Sequence, residues 1–508
     1  MIPRAALIVL VLGQVFSGAV AAQCPDGSPP PCGRATVRAT VPPNSVAVLY
    51  FDNLSRDTSD AYLADGLTEE LTARLGHIDG LIVLGRSVVR RHQGAAARSL
   101  GVSYLVTGSV RRSGNRLRVT VELVRTATGV RVWGELYDRS SPDLVAVEED
   151  IAQQVVLAVT GHLLPRERTS LTKSRDAYDH YLRGLVHFSR RLDDASSRLR
   201  AVHEFEAAVA IDPTFARAYA RIGLCYAGML ERAGIVAGVG TDTALARGFA
   251  AADRALQLDS TIAEGWMARG ALQSRKARLD DDGSGPARSL ATHRRALALD
   301  PRNADAHNAY GVLLLYSFGD VHTSRGAIER ALQLDPAHPT YLQNMALVTF
   351  LARRFEDAER WWDSAAAMAP RAGIVYEDRA MVRLVLGDTA GARADAQTAT
   401  WLQPDWPWPK AIISLVNLGH GDTAGARSTA ERLRTEVPVP DAKRGLSVAA
   451  LLIALGQQED ALDYLEHVRP RVGYALPLVL RYVYLDPLRS SPRFQRLVER
   501  SQPPGGPL

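Results

Sequence analysis

The residue types that most often carry chemistry are sparse in this chain and show no catalytic spacing. Only three of its 508 residues are cysteines, and its twelve histidines are scattered, without the spacing of metal ligands. The sequence has no Gly-x-Ser-x-Gly nucleophile elbow, no His-Glu-x-x-His zinc motif and no phosphate-binding loop. We therefore predict no catalytic residue, no metal site and no cofactor, and expect a protein that is not an enzyme.

The first 22 residues have the pattern of a bacterial export signal. Arg4 precedes an apolar run over residues 5–12, and Val20-Ala21-Ala22 fits the small-x-small rule for signal peptidase cleavage. An uncleaved anchor is the alternative, although the apolar run is shorter than the roughly 20 residues that span a bilayer. We expect a cleaved signal and a periplasmic or secreted chain that is soluble, with envelope association left open.

A linker rich in proline and glycine follows over residues 23–42 and carries the first two cysteines. Its turn-forming residues can bring Cys24 and Cys32 together, and an exported chain meets an oxidising compartment. We therefore predict a disulfide between Cys24 and Cys32. Lipidation of Cys24 is the alternative, but a lipid attachment site has a small residue before the cysteine, and here that residue is Gln23.

Residues 43–165 predict a small α/β domain. A continuous apolar run indicates a buried strand, leucines at helical spacing indicate a helix, and turn signals separate three later strand-like runs. The predicted strands cover 45–51, 81–84, 104–112, 117–125 and 130–137, and the predicted helices cover 61–75, 95–100 and 143–164.

Four motifs in this region resemble the TolB N-terminal-like domain: SVAVLYFDNLS (45–55), YLADGLTEELTARL (62–75), YLVTGSVRRSGNRLRVTVELV (104–124) and ATGVRVWGELYDR (127–139). The resemblance implies a small α/β fold that occurs in bacterial chains, often ahead of tetratricopeptide repeats and sometimes behind a cyclase, kinase or DNA-binding module. It brings no known catalytic residue to this sequence. Because about 20 residues separate the predicted signal from Ser45, we expect no such module in front of the domain.

The charge of this region argues against a nucleic-acid partner. Arg90-Arg91 and Arg111-Arg112 are adjacent basic pairs, but residues 43–165 contain 13 arginines and 14 acidic residues. A nucleic-acid-binding domain of this size is usually clearly basic. We interpret the arginine pairs as solvated surface.

From about residue 175 to residue 470 the chain repeats with a period of 34 residues. Gly387-Asp-Thr-Ala-Gly-Ala-Arg393 recurs over 421–427, and Pro336, Pro370, Pro404 and Pro438 are spaced by 34. This period is the signature of the tetratricopeptide repeat, in which helical hairpins stack on one another. The predicted fold class is α+β, a small α/β domain followed by an all-α repeat solenoid, with a helical cap over 471–500 and a disordered tail over 501–508.

The repeats favour a role in binding. We expect the array and the α/β domain each to fold alone, because hairpins contact mainly their neighbours and the domain has two layers of its own. The polar residues predicted by repeat offset to line a groove on the first helices are Asn308, Gln343, Asn344 and Glu377.

These residues are compatible with two functions, and they do not indicate the chemical class of the ligand in either case. We expect an exported scaffold that binds a peptide or protein of unknown identity through the groove. The alternative is a cell-envelope structural or assembly factor that docks through the α/β domain.

Overall fold

The structure is a computed structural model, and it describes residues 42–78, 80–85, 88–89, 100–114, 116–140, 144–161, 172–189, 196–230, 239–280, 285–404, 406–435, 442–472 and 476–501. The predicted export signal, the linker and the Cys24–Cys32 disulfide lie outside the described residues. So do nearly all of the predicted helix over 95–100 and of the tail over 501–508. No helix in the described part of the chain is long and apolar enough to cross a membrane.

The predicted fold class is confirmed: a small mixed sheet with helices precedes a region of helical repeats. The strands are β1 (Ser45–Val48), β2 (Asp52–Asn53), β3 (Ile82–Val83), β4 (Tyr104–Ser113), β5 (Arg116–Arg125) and β6 (Arg131–Ser140). Their order in the sheet is β3–β1–β4–β5–β6, and the short β2 pairs with β4 beyond the end of β1. β1 runs parallel to β3 and β4, whereas β4, β5 and β6 form an antiparallel meander.

Two helices, α1 (Ala61–Gly76) and α2 (Leu144–Thr160), cover one face of this sheet. Successive side chains of a strand point to opposite faces, and β5 follows that alternation. Its buried residues face the helices, and Arg116, Arg118 and Glu122 lie on the other face. The buried set on β5 is Leu117, Val119, Val121 and Leu123.

The described residues from 175 to 472 fold into eight helical hairpins. The first helices are α3 (Arg175–Ser189), α5 (Ala216–Met229), α7 (Ala263–Asp280), α9 (Ala304–Leu313, continued by a π-helical turn Leu314–Phe318), α11 (Pro339–Leu351), α13 (Gly373–Leu386), α15 (Pro407–Gly419) and α17 (Ala442–Ala454). The second helices are α4 (Ser197–Ile211), α6 (Thr241–Leu258), α8 (Gly285–Leu299), α10 (Val321–Leu334), α12 (Phe355–Met368), α14 (Thr389–Leu402), α16 (Thr423–Thr435) and α18 (Gln458–Val472).

Small and large residues at fixed repeat offsets explain how the hairpins stack. A Cβ atom on Gly223 would lie 2.9 Å from the Cβ of Ala268, so the close approach of α5 and α7 requires the missing side chain. Trp362 on α12 is fully buried, and its ring lies 5.9 Å from that of Phe350 on α11. The packing positions are therefore those that the 34-residue period predicts.

The α/β domain and the first hairpins share one hydrophobic core, unlike the two independent cores that the sequence predicts. Helix α1 lies directly against α3, where a Cβ atom on Gly66 would be only 2.8 Å from the Cβ of Leu182. Tyr181 on α3 is buried among residues of both parts. The sequence suggested two separate cores because the α/β domain and the array each contain enough strands or helices to form one. In the structure, α3 packs against α1 of the domain on one side and against α4 of the array on the other.

The C-terminal residues form α19 (Leu476–Val479), a 3₁₀ turn (Val483–Leu488) and α20 (Pro492–Ser501). Instead of only capping the last hairpin, residues 476–488 run back across the array. They join the hydrophobic core that extends from α9 to α18, and their buried residues include Leu485 and Leu488. We call residues 476–488 the return segment.

Two tryptophans provide a matched test of the repeat packing. Trp362 is 0% exposed and Trp401, at the end of α14, is 80% exposed. Trp362→Ala should lower the free energy of unfolding by about 3–5 kcal/mol, because it removes buried apolar surface and leaves a cavity. Trp401→Ala should change it by less than about 0.5 kcal/mol. Urea unfolding followed by circular dichroism measures both, and equal losses would contradict this packing.

Candidate interaction surfaces

The four predicted groove residues lie on first helices, but the chain itself buries three of them. Asn308 on α9 is half-buried. Gln343 and Asn344 on α11 are each 8% exposed, and Glu377 on α13 is 2% exposed. We call the surface formed by the first helices of the eight hairpins the first-helix face.

Hydrogen bonds between neighbouring hairpins use the polar groups of these residues. The Gln343 amide donates from Nε2 to Oδ2 of Asp378 over 3.0 Å. The Asn344 amide donates from Nδ2 to Oδ1 of Asn308 over 2.8 Å. Buried polar groups need such partners, because leaving one unpaired costs about 1–3 kcal/mol. These amides therefore hold adjacent first helices together.

The return segment covers the first-helix face from hairpin four to hairpin eight. The Tyr482 ring lies 5.9 Å from the ring of Phe350 on α11. Tyr484 donates its hydroxyl to the carbonyl oxygen of Met381 on α13 over 2.6 Å, and its ring meets the edge of Trp408 on α15 at 5.2 Å. Burial raises the pKa of Tyr482 well above its usual range, and the nearby carboxylates Asp378 and Glu377 add to the effect.

Arg353 fixes the return segment at a position where hairpins four, six and seven have glycine. Gly319, Gly387 and Gly421 lie at 34-residue spacing with positive φ angles, and Arg353 occupies the intervening position with φ of 64°. An L-residue other than glycine pays about 1–2 kcal/mol in this conformation. The guanidinium donates to both carboxylate oxygens of Asp486, at 2.9 and 2.7 Å. The pattern break at Arg353 is visible in the sequence, although its partner is not.

The α/β domain covers the other end of the first-helix face. It contacts hairpins one, two, four and five at or just before their first helices, so one domain spans more than half of the array. The contacts are Arg112 Nη2 to Asp179 at 2.5 Å, Arg217 Nη1 to Glu70 at 2.6 Å, His77 Nδ1 to Asp300 at 2.9 Å, Arg302 Nη2 to the carbonyl oxygen of Leu81 at 2.5 Å, and Gly85 against the side chain of Asp335.

A buried carboxyl group lies at the centre of this junction. Tyr178 on α3 donates its hydroxyl to Oε2 of Glu148 on α2 over 2.5 Å, and Oε1 of Glu148 has no hydrogen-bond partner among the described residues. Burial, reinforced by the negative charge of Glu70, raises the pKa of Glu148 to about 8. Glu148 is therefore mostly protonated at pH 7.

Two arginines balance the other acidic groups of the junction. Burial opposes the ionisation of Glu264 on α7, but the positive charges of Arg217 and Arg221 outweigh it and hold the pKa of Glu264 below its ordinary value. Burial also disfavours the charged form of His77, but the hydrogen bond to Asp300 and the negative charges of Asp300 and Glu264 together outweigh it and raise the histidine pKa. The junction thus contains paired charges and one neutral acid.

The described residues were compared with the arrangements of side chains that bind metal ions. No set of three or more histidine, cysteine or acidic side chains in the described ranges is placed to hold a metal ion. An open pocket of about 240 Å³ lies between α15 and α16, where Lys410, Asn417 and Arg432 line it. Another open surface is the β5 part of the sheet face opposite α1 and α2, which carries Arg116 and Arg118 paired with Asp138.

Comparison with known proteins gives partial matches. No family profile matches the chain. Over 193 residues it is 34% identical to a protein of Rhizobium meliloti (strain 1021) named putative adenylate cyclase 3, a match that covers 35% of this chain and 32% of that protein. This chain therefore spans about a third of the length of that relative.

Solved structures with similar folds are tetratricopeptide repeat proteins, at low similarity. PilF of Pseudomonas aeruginosa is 19% identical with a TM-score of 0.35, and the match covers 45% of this chain and 94% of that one. A tetratricopeptide repeat protein of Parabacteroides merdae ATCC 43184 is 13% identical with a TM-score of 0.34, covering 58% and 99%. Likeness of this degree carries no argument about what this chain binds.

The buried carboxyl group predicts a pH-dependent stability. Between the ordinary value of 4.5 and about 8, folded Glu148 holds a proton that the unfolded chain releases. This group therefore lowers the free energy of unfolding as pH rises, by at most about 1.4 kcal/mol per pH unit. Glu148→Gln has no proton to lose, so its stability relative to the unmodified chain should increase from pH 5.5 to pH 7.5.

Urea midpoints at the two pH values measure this difference. Tyr178→Phe is the control, because it removes the hydrogen-bond donor and keeps the carboxyl group, so the pH slope should persist. A stability difference between Glu148→Gln and the unmodified chain that is constant with pH would contradict a buried protonated Glu148.

Proposed function

We propose that this chain is an exported, non-catalytic protein-interaction scaffold that docks to a partner in the cell envelope through its α/β domain. The observation that carries the proposal is that the chain covers its own first-helix face. The α/β domain contacts hairpins one, two, four and five, and the return segment reaches hairpins four to eight. A partner that binds without displacing these two covering elements must therefore use a surface other than the first-helix face.

The α/β domain offers the more suitable outer surface. Its sheet has helices α1 and α2 on one face, and much of the opposite face is open where Arg116, Arg118 and Glu122 lie. The domain is held to the array by partly buried ion pairs, so a partner bound there would be rigidly connected to the repeats. The export pattern over residues 1–22 and the resemblance to a TolB N-terminal-like domain support a partner in the envelope.

Site-specific photocrosslinking in living cells tests this docking. A photoreactive residue in place of Arg118 reports on the open sheet face, and one in place of Arg434 on α16 is the control. The two side chains are matched in exposure, at 51% and 50%. We expect a discrete crosslinked protein from position 118 and none from position 434. Crosslinks from position 434 alone would contradict docking through the α/β domain.

Binding through the groove is the second candidate, and one observation favours it. The first-helix face already holds a polypeptide, because the return segment places Tyr482 and Tyr484 against α11, α13 and α15. A partner peptide of similar chemistry would need this segment to move aside. Asn308, Gln343, Asn344 and Glu377 would then become accessible.

Arg353→Gly tests the second candidate without a large loss of stability. The substitution removes the partly exposed ion pair with Asp486, worth about 0–1 kcal/mol, and relieves the positive φ angle. Net stability should therefore change by less than about 1 kcal/mol. If the groove binds a partner, capture from envelope extracts should increase in Arg353→Gly and not in Arg360→Gly, an exposed control on α12. Equal capture by the two variants would exclude the groove.

A further inference from the structure

The open pocket of hairpin seven lies between its two helices, and its lining changes along its length. Helices α15 and α16 form an antiparallel pair, so residues at the start of α15 lie beside residues at the end of α16. Lys410 and Arg432 therefore line one end of the pocket. Ser414 and Thr429 line its middle, and Asn417 lines the end near the turn. We call this pocket the hairpin-seven slot.

In hairpin six, an ion-pair cluster occupies the equivalent space between the two helices. Asp395 on α14 is 4% exposed. Its carboxylate accepts hydrogen bonds from Nε and Nη2 of Arg379 on α13, at 2.8 and 2.7 Å. Nη1 of Arg383, one turn farther along α13, donates to the same carboxylate at 2.8 Å. Two guanidinium groups and one carboxylate therefore fill the interior of hairpin six.

Hairpin seven lacks all three of these side chains. The positions one 34-residue period later carry Ile413, Asn417 and Thr429. Two arginines and an aspartate are thus replaced by neutral side chains, and both arginines by shorter ones. All three replacements line the hairpin-seven slot, which has a volume of about 240 Å³. The slot is therefore the space that hairpin six fills with its own ion pairs.

Several polar groups of the slot remain available to a ligand. Ser414 is 5% exposed, and its hydroxyl forms no hydrogen bond with a described residue. Lys410 is half-buried and forms no ion pair with a described residue. Oδ1 of Asn417 accepts a hydrogen bond from Nη2 of Arg393 at 2.5 Å, which leaves the amide NH2 group as a donor. Buried polar groups normally have partners, so the slot favours a ligand that supplies hydrogen-bond acceptors.

The charges of the slot favour an anion. Lys410 and Arg432 bring two positive charges to one end. The acidic residue of the lining, Asp422, lies at the opposite end, where Oδ1 accepts from the backbone N–H of Gly425 at 2.8 Å. Asp422 thus caps the N-terminus of α16. A ligand carboxylate beside Lys410 takes the role that the Asp395 carboxylate has in hairpin six.

We propose that the hairpin-seven slot binds a small organic carboxylate, such as a dicarboxylate or a tricarboxylate. One carboxylate lies beside Lys410 and Arg432, and other oxygens of the ligand accept hydrogen bonds from Ser414 and Asn417. Because the slot is small and open to solvent, we expect a Kd of roughly 0.1–1 mM. This site is separate from the surfaces considered for the envelope partner, and its test does not depend on that partner.

Calorimetric titration of the purified full chain with citrate and with succinate tests the site. We expect one site per chain, and no binding of glycerol. Lys410→Met removes a charge and should raise the citrate Kd by about 10-fold or more. Ser414→Ala removes a donor and should raise it by about 3-fold to 10-fold. The thermal midpoint of Ser414→Ala should stay nearly unchanged, because Ala380 is fully buried at the same position of hairpin six.

Two further variants separate this slot from general electrostatic effects. Lys173→Met removes an exposed positive charge ahead of α3 and should leave the citrate Kd unchanged. The double variant Ile413→Arg with Thr429→Asp transfers the Arg379–Asp395 pair into hairpin seven. It should abolish citrate binding, because the chain then fills its own slot, and it should keep the helical circular dichroism signal.

Several outcomes would overturn the proposal. They are no binding of citrate or succinate up to about 10 mM, a Kd insensitive to Lys410→Met, or an equal loss of affinity in Lys173→Met. Tighter binding of glycerol 3-phosphate than of either carboxylate would assign the slot to phosphate esters instead. Binding of a capped triglutamate peptide without binding of citrate would assign it to the side chains of a partner protein.

Discussion

A stack of helical hairpins leaves one side of every first helix without a neighbour, and the rest of this structure depends on how that side is covered. Each hairpin buries its other sides against adjacent hairpins. In this chain the α/β domain and the return segment lie on the remaining side, and Gly66 and Arg353 mark where they attach. Each attachment requires an unusual residue or backbone conformation. Gly66 must have no side chain, and Arg353 adopts a positive φ angle although it is not glycine. Contacts between segments distant in sequence therefore constrain which residues can occupy these two positions.

The junction between the α/β domain and the hairpins relies on charge as much as on apolar contact. Arg217 is mostly removed from solvent between Glu70 and Glu264, and such pairs rarely add much stability relative to apolar packing, because desolvation offsets the attraction. Breaking one, however, leaves a buried charge unpaired and is strongly destabilising. The pairs thus fix one orientation of the domain on the array. Glu148 avoids the same cost by staying protonated, which links the junction to pH.

The sequence was sufficient for the local elements and for the repeat register, because both depend on spacing. Strand alternation located β5, and the 34-residue period located the helices around Trp362. It was not sufficient for the exposure of Glu377, because Glu377 lies near Tyr482 of the return segment, about 100 residues away in sequence. The hydrogen bond from Tyr484 to Met381 joins such distant positions, and the one from Arg302 to Leu81 joins positions still farther apart. No periodicity reports contacts of this kind, although a residue that breaks the period, as Arg353 does, shows where to look for one.

Covering the first-helix face changes what a repeat array can do. An open array binds through its first helices, and its specificity is then encoded in a set of polar positions that are free to vary. Here those positions form hydrogen bonds between hairpins, so changing Gln343 or Asn344 alters stability as well as any recognition. Surfaces that can change without this cost lie outside the core, on the open sheet face, along β6 and on the second helices. Because the α/β domain is packed onto four of the first five hairpins, a partner bound at its sheet is held at a fixed orientation to them. A rigid domain and array of this kind are better suited to holding two bound partners at a fixed distance than to wrapping around a peptide.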